Sequence, residues 1–320
     1  MKKEISYLER LELISECKEK FEKYLKKELD LIKVECPLFV KSSSGLQDTL
    51  TGVEKAISFE KGSERFEIVH SLAKWKRSAL GKYGFPVHKG LLTEMRAIRK
   101  DEEVDELHSL YVEQWDWEKV ITKEDRTTDY LKKIVRSIYK SIKKTEVDLS
   151  SKGVKIDLAD KVYFIDSQEL EDMYPDKTPK EREELTVKEY KTVFIMRIGG
   201  KLKSGIPHDL RSPDYDDWEL DGDLLVYSST LDKAVEISSM GIRVDEESLY
   251  KQLELSDSLE RLELPFHKGI MEHKIPLTIG GGIGISRILM LLLDTDHIAC
   301  VQASAWDKDT LKKLKTKKIL

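Results

Sequence analysis

The segment TIGGGIGISR, residues 278–287, places glycines 280, 281, 282 and 284 directly before an apolar helical stretch with Arg287 in its first turn. Glycine lets a backbone approach a ligand that a side chain would hold off, and a helix start offers free N–H groups to a phosphate. No Lys-Ser or Lys-Thr follows the glycines, which excludes a Walker loop, and the parallel βαβ setting of a dinucleotide fingerprint is missing. From the run alone, a phosphate seat and a tight strand-to-helix packing turn both remain open. Arg96 and Arg99 close an apolar strand, where arginines facing a cleft suit bidentate phosphate contacts and arginines facing out are solvated charge. Asp214, Asp216 and Asp217 crowd PDYDDW, while Asp221, Asp223 and Glu236 surround two apolar strands. Facing carboxylates on neighbouring strands suit magnesium carried on ATP phosphates. Asp217 is read as a solvated turn residue, whereas Asp223 and Glu236 inside apolar strands need partners.

These groups need elements to position them. Ile5, Leu8, Leu11, Ile14, Cys17, Phe21 and Leu25 recur at helical spacing on one face. Ile32, Val34 and Cys36 then alternate with Lys33 and Glu35 as in a half-buried strand, until Pro37 interrupts. A polar stretch over 42–51 precedes a strand pair, 56–60 and 66–69, and a helix over 70–82. LLTEMRAIRK (91–100) and LHSLYVEQWDWEKV (107–120), joined by an acidic loop, read as an antiparallel pair. Tyr130, Ile134, Ile138 and Ile142 mark another amphipathic helix, and Thr178, Pro179 and Glu181 form a capping-box start for a helix ending near Tyr190. Strands follow at VYFID (162–166), TVFIMRI (192–198), DGDLLVYSS (221–229) and AVEISSMGIRV (234–244). Mostly antiparallel pairing with helices of varied length argues for an α+β fold, an antiparallel sheet flanked by helices, in a single domain over 1–320.

Composition narrows the function classes. Fifty-five basic against sixty acidic residues, net charge −5, carry no global footprint for nucleic acid or anionic membrane. The amino-terminal stretch lacks the apolar run of a signal peptide and no segment is long enough to span a bilayer, so a cytoplasmic protein is expected. Cys17, Cys36 and Cys300 are odd in number and far apart, which suggests neither a disulfide framework nor a zinc site.

Taken in order, the helix, strand and Pro37, then the strand, Arg99, loop and strand, then GGGIGISR resemble the three motifs of class II aminoacyl-tRNA synthetases. LQDTL (46–50), HSLAKWKR (70–77), LHSLYVEQWDWE, IGGKL (198–202), PDYDDW, EISSMGIRVD (236–245) and TIGGGIG resemble, over essentially the whole chain, the ammonia-dependent aspartate-ammonia ligase family. That resemblance implies conversion of L-aspartate and ammonia to asparagine through a β-aspartyl-adenylate formed from ATP. It implies Arg99 on the α-phosphate, Arg287 at the γ-phosphate end, magnesium on Asp223 and Glu236, and an adenine pocket near His108 and Ser109, with Gly282 and Gly284 at the nucleotide. It places Lys76 and Arg243 on the α-carboxylate, and assigns Asp48, Gln114, Asp116, Asp216 and Ser239 to the substrate ammonium or to ammonia, with Asp48 or Asp216 taking the ammonium proton. The departures are Thr49 in LQDTL and a short segment between PDYDDW and DGDLL; neither removes a matched polar residue. A homodimer through the first motif is expected, with no nucleic-acid partner. The competing readings are an aspartyl- or asparaginyl-tRNA synthetase, which would need an anticodon-binding module, and a catalytically dead paralogue serving as an amino-acid sensor.

Overall fold

The computed structural model describes residues 6–50, 54–150, 152 and 158–320; Ile5 of the first amphipathic stripe and Thr51 lie outside them. In chain order the elements are α1 (Tyr7–Leu29), β1 (Leu31–Lys33), β2 (Phe39–Lys41), β3 (Ser58–Lys61), β4 (Glu64–Ile68), α2 (Ala73–Tyr83), β5 (Gly90–Ile98), β6 (Tyr111–Val120) and α3 (Thr128–Ser150). They continue as β7 (Tyr163–Asp166), α4 (Ser167–Met173), α5 (Pro179–Tyr190), β8 (Thr192–Met196), β9 (Asp216–Ser228), β10 (Lys233–Arg243), α6 (Glu246–Leu255), α7 (Pro265–Met271), β11 (Thr278–Gly284), α8 (Ile285–Leu293) and α9 (Lys308–Lys313).

Eight strands form one sheet in the order β1-β5-β6-β11-β10-β9-β8-β7, and β2-β4-β3 form a small second one. Every neighbour pair in the large sheet is antiparallel except the outermost two, β1 with β5 and β7 with β8. Period-two alternation sorts its side chains. On β6, Trp115 and Trp117 point into the main apolar core with Phe21, Leu25, Ile134, Ile138, Ile288 and Leu292 from α1, α3 and α8. Each such fully buried side chain contributes about 1.5–3 kcal/mol, and Phe21 meets the Trp115 ring at 4.6 Å. The intervening Gln114, Asp116 and Glu118 therefore face the other side of the sheet. The α5 start follows its local chemistry: the Thr178 hydroxyl accepts the Glu181 N–H at 3.3 Å, and the Glu181 carboxylate accepts the Thr178 N–H at 2.9 Å.

One expected pattern shifts. Ile32 is 47% exposed, while its neighbour Leu31 is buried in the main core. β1 is an edge strand of three residues, so among the described residues only the face toward α1 is covered. The amino end of α1 behaves alike: Cys17, Phe21 and Leu25 are buried, but Leu8 is 66% and Leu11 47% exposed. Among the described residues, no helix is long and apolar enough to cross a membrane.

Candidate active site

On the face of the sheet opposite the main core lies a cavity of about 360 Å³. Its walls carry Asp48, Lys76, Arg99, His108, Ser109, Gln114, Asp116, Asp216, Glu236, Ser239, Arg243, Gly282, Gly284 and Arg287. Residues from four strands, two helices and two loops thus converge on one cavity. Of the expected set only Asp223 stands behind the wall, buried and bonded to the cavity-lining Arg211.

The glycine run is a strand rather than a turn, and it borders the cavity. Glycines 280–284 belong to β11, hydrogen-bonded between β6 and β10, and the helix begins only at Ile285. Gly280, Gly281, Gly282 and Gly284 have ordinary negative φ angles, so conformational freedom is not what they supply. A Cβ on Gly280 would stand 1.8 Å from the Glu118 carboxylate and 2.7 Å from Arg243 Nη2; one on Gly282 would stand 2.4 Å from Gln114 Oε1. The glycines make room for the large polar side chains of the neighbouring strands.

Those side chains form an ion lattice at the cavity floor. Arg243 Nε and Nη2 donate to Glu118 at 2.9 and 2.8 Å, and Nη1 donates to Asp216. Lys76 donates to Asp116, to the Trp117 carbonyl at 2.9 Å and to the Gly281 carbonyl at 3.2 Å. Glu118 also accepts the Thr278 hydroxyl at 2.7 Å. Burial pushes the Glu118 carboxyl up, but Arg243 and Lys76 outweigh it and hold the group below its ordinary value. At Asp116 and Asp216 burial wins over Lys76 and Arg243 respectively, and both carboxyls sit above their ordinary value. Among the described residues the buried Asp116 Oδ2 has no hydrogen-bond partner, an acceptor left without a donor. Asp48 accepts the Ser71 hydroxyl at 2.6 Å and the Leu50 N–H at 2.8 Å.

A second cluster gathers toward the other end of β10. Arg287 donates to the Glu236 carbonyl at 2.9 Å and to His108 Nε2 at 3.0 Å, with the Glu236 carboxylate 3.7 Å away. His108 Nδ1 lies 2.8 Å from Asp105, so its two partners assign the proton to Nδ1. Among the described residues the Arg99 side chain reaches only the His70 carbonyl, at 3.4 Å, whereas Arg96 is exposed on the outer surface. Burial pushes the Asp223 carboxyl up, Arg211 opposes, nearby Glu236 adds to the rise, and the group reaches about 8. Burial likewise acts upward on Glu236, but Arg287, Arg211, Lys180 and Arg99 hold it below its ordinary value. Among the described residues the buried Asp223 Oδ1 has no close hydrogen-bond partner.

Three further groups were not singled out from sequence. Glu118 continues the alternation of Gln114 and Asp116 two residues on, which was the available signal. Arg211 has no such periodicity. Gln302 orients Ser109: its Oε1 lies 2.6 Å from the Ser109 hydroxyl, and its amide donates to Ser286 Oγ and the Tyr111 carbonyl, each at 3.0 Å.

The reading of Asp217 as solvated is corrected. β9 already begins at Asp216, and Asp217 is buried against Arg126, 2.7 Å away. Asp214 is wholly buried and takes Lys74 at 2.8 Å, His267 at 2.9 Å, Arg261 at 3.1 Å and the Ser212 hydroxyl at 2.8 Å. These donors pull its carboxyl far below the usual range despite burial, which acts in the opposite sense. Together with Arg211–Asp223 and Asp216–Arg243, they staple the whole 211–217 segment to its surroundings.

The sequence matches the family profile described as aspartate-ammonia ligase over residues 8–318. It is 53% identical over 316 residues to the aspartate-ammonia ligase of Clostridium tetani, covering 97% of this chain and 93% of that one. It is 56% identical over 304 residues to that of Clostridium perfringens strain SM101, covering 93% and 90%. Among solved structures, the asparaginyl-tRNA synthetase of Entamoeba histolytica in complex with asparaginyl-adenylate superposes with a TM-score of 0.67 at 13% identity, over 92% of this chain and 66% of that one. The Pyrococcus horikoshii asparaginyl-tRNA synthetase complexed with asparaginyl-adenylate gives 0.63 at 14%, over 91% and 67%. At such low identity these likenesses speak for the class II synthetase fold alone, and it is the agreement along the sequence that places the protein: the chain belongs to the aspartate-ammonia ligase family.

Proposed function

We propose that the cavity converts L-aspartate and ammonia to L-asparagine at the expense of ATP, through a β-aspartyl-adenylate, with the aspartate held at the ion lattice and the phosphates held by Arg99 and Arg287. Family membership supports the overall ligase reaction. The observation that carries the division of labour is the imbalance of the floor: Asp116, Glu118 and Asp216 outnumber Lys76 and Arg243. The surplus carboxylate, with Asp116 Oδ2 unpartnered, favours a cationic substrate group such as the α-ammonium. The α-carboxylate then docks on Arg243 and Lys76, and the β-carboxylate is left toward the second cluster. Orientation alone selects the side-chain product.

An oxygen of the β-carboxylate attacks the α-phosphorus and pyrophosphate leaves. Arg99 meets the charge that builds on the α-phosphate, and Arg287 the charge on the departing end. Ammonium loses a proton, ammonia adds to the acyl carbon, and AMP leaves with its bridging oxygen. Asp216 suits the proton transfer better than Asp48, because burial lifts its carboxyl while both Asp48 oxygens already accept bonds. Asp223 and Glu236 would hold magnesium, whose charge would be shared with the ATP phosphates. The partnerless, buried Asp223 Oδ1 beside a second carboxylate fits such an ion. Among the described residues no cluster of three or more metal-binding side chains exists, and magnesium carried by phosphates needs only one or two carboxylates.

The chain acts as a single catalytic unit, cytoplasmic and without a nucleic-acid partner, in keeping with its net charge of −5. Exposed Leu8, Leu11 and Ile32 support a two-fold contact across α1 and β1. The test incubates the protein with ATP, magnesium and aspartate, with and without ammonium chloride or glutamine, and follows AMP, pyrophosphate and asparagine. Ammonium-dependent asparagine with one AMP per product is expected. Aspartate binding without turnover would instead identify a sensor, and transfer to tRNA a synthetase.

A further inference from the structure

We infer that Arg211 and a divalent cation are alternative partners of Asp223, and that the guanidinium released by the cation is a third phosphate-binding group beside Arg99 and Arg287. This rests on the proposed function of the cavity and adds to it a residue that the motifs did not mark.

Arg211 lines the same cavity as Arg99 and Arg287. Its Nη2 donates to Asp223 Oδ2, and its Nη1 lies 3.3 Å from the Asp209 carboxylate. Among the described residues Asp223 has no other ion-pair partner and its buried second oxygen accepts no close hydrogen bond, with the Ser239 side chain nearby. A dication drawn to that oxygen and to Glu236 meets a guanidinium already seated on the same carboxylate. Like charges on one carboxylate repel, so binding of one weakens binding of the other. A planar guanidinium that leaves a carboxylate is suited to bidentate contact with phosphate oxygens, and a magnesium nucleotide brings both exchange partners together.

The local chain allows such a movement. Arg211 sits where an exposed loop meets an anchored segment. Upstream, the loop is surface-borne, with Ile206 66% and Leu210 59% exposed. Downstream, Ser212 and Asp214 are buried, and Asp214 is fixed by Lys74, His267 and Arg261. The side chain can swing about its own rotamers while the anchor holds its backbone beside the cavity.

The experiment compares wild type with Arg211→Met and Arg211→Lys in two assays. Manganese binding to the nucleotide-free enzyme is read by electron paramagnetic resonance, with Asp223→Asn as the control that loses the site. Aspartate-dependent ATP–pyrophosphate exchange reads adenylate formation. Removing the competing charge should tighten manganese binding about tenfold in Arg211→Met, the scale on which one adjacent charge shifts a carboxylate equilibrium. The same variant should lose about 10²–10³-fold in exchange rate, with Arg211→Lys intermediate in both. Manganese binding that is unchanged or weaker in both variants would overturn the exchange of partners, and an unchanged exchange rate would overturn the phosphate role. Should Arg211→Met fail to fold, the lysine variant decides both points. A wild type without any exchange activity would refute the underlying function, while the manganese comparison would still judge the competition at Asp223.

Discussion

Adding one methyl group along β11 separates two accounts of its glycines. If they clear space for Glu118 and Gln114, the damage from alanine must follow the clearances, which are 1.8 Å at Gly280, 2.4 Å at Gly282 and 3.4 Å at Gly284. Ordinary contact begins near 3.4 Å, so Gly280→Ala forces the Glu118 carboxylate to retreat by about 1.6 Å. Glu118 is wholly buried and held by Arg243 at 2.8 Å and Thr278 at 2.7 Å, so retreat breaks these bonds rather than swinging the group into water. Breaking one partner out of a buried ion pair costs about 3–5 kcal/mol. At roughly 2 °C per kcal/mol for a chain of this size, Tm should fall by about 6–10 °C, and the KM for aspartate should rise because Arg243 loses its fixed orientation. Gln114 lies on the cavity wall and can yield, so Gly282→Ala should raise KM with a smaller fall in Tm. Gly284→Ala should be close to neutral. Calorimetry and steady-state asparagine formation over the three variants give the ranking. A phosphate seat at the α8 start would reverse it, with Gly284→Ala the most damaging and its effect on ATP; that order would refute the reasoning.

Arg99→Ala should lower aspartate-dependent pyrophosphate exchange about 10²–10³-fold with little change in Tm, because among the described residues the one hydrogen bond of its side chain is the 3.4 Å contact to His70; retained exchange would remove it from the α-phosphate. Asp214 has its folded-state pKa well below the ordinary value of 3.8, so its stabilisation is complete above that value and is lost as pH falls toward the folded-state pKa. Urea unfolding should therefore show stability falling below about pH 4 in the wild type, and Asp214→Asn should start less stable and show a shallower fall. Leu8→Asp with Leu11→Asp, both on the exposed end of α1, should convert a dimer to monomer in sedimentation velocity while leaving the far-UV spectrum unchanged; an unaltered sedimentation coefficient would move the contact elsewhere.

Features written in local sequence were readable without coordinates. The β5–β6 pair and the α3 stripe declare themselves by period, and the α5 start by its cap, because each depends on neighbours within a few residues. Ligand-sized relationships did not declare themselves in this way. The partner of Asp217 is Arg126, and that of Asp214 is Lys74; both are distant in the chain, so PDYDDW looked like a solvated acidic turn. The parallel pairing of β1 with β5 and of β7 with β8 likewise joins separated segments. The glycine run was legible as special, but its purpose depends on the side chains opposite it on β6. Glu118 was within reach of the alternation that marked Gln114 and Asp116, but it holds Arg243 instead of lining the cavity. The residues that the resemblance singled out lie in one cavity or, for Asp223, just behind its wall.

Helix α2 has a kinetic consequence. Its buried Lys74, Lys76 and Arg77 are bound to three different places: Asp214, Asp116 with the β11 backbone, and the carbonyls of Pro276 and Val244. Burial, opposed by Glu118 and Asp245 and aided by the like charges of Arg243 and Arg126, lowers the Arg77 pKa to about 9, a sign of how little its surroundings repay its lost hydration. None of these cations can settle before its acceptor strand or segment exists, and those acceptors come from both halves of the chain. Docking of α2 therefore joins β6, β11, the end of β10 and the 211–217 segment, and the expected order is that it follows their assembly. On that order its bonds form after the transition state and act chiefly by slowing unfolding. The helix that carries Lys76 to the cavity floor would then be the latch that sets the lifetime of the folded protein.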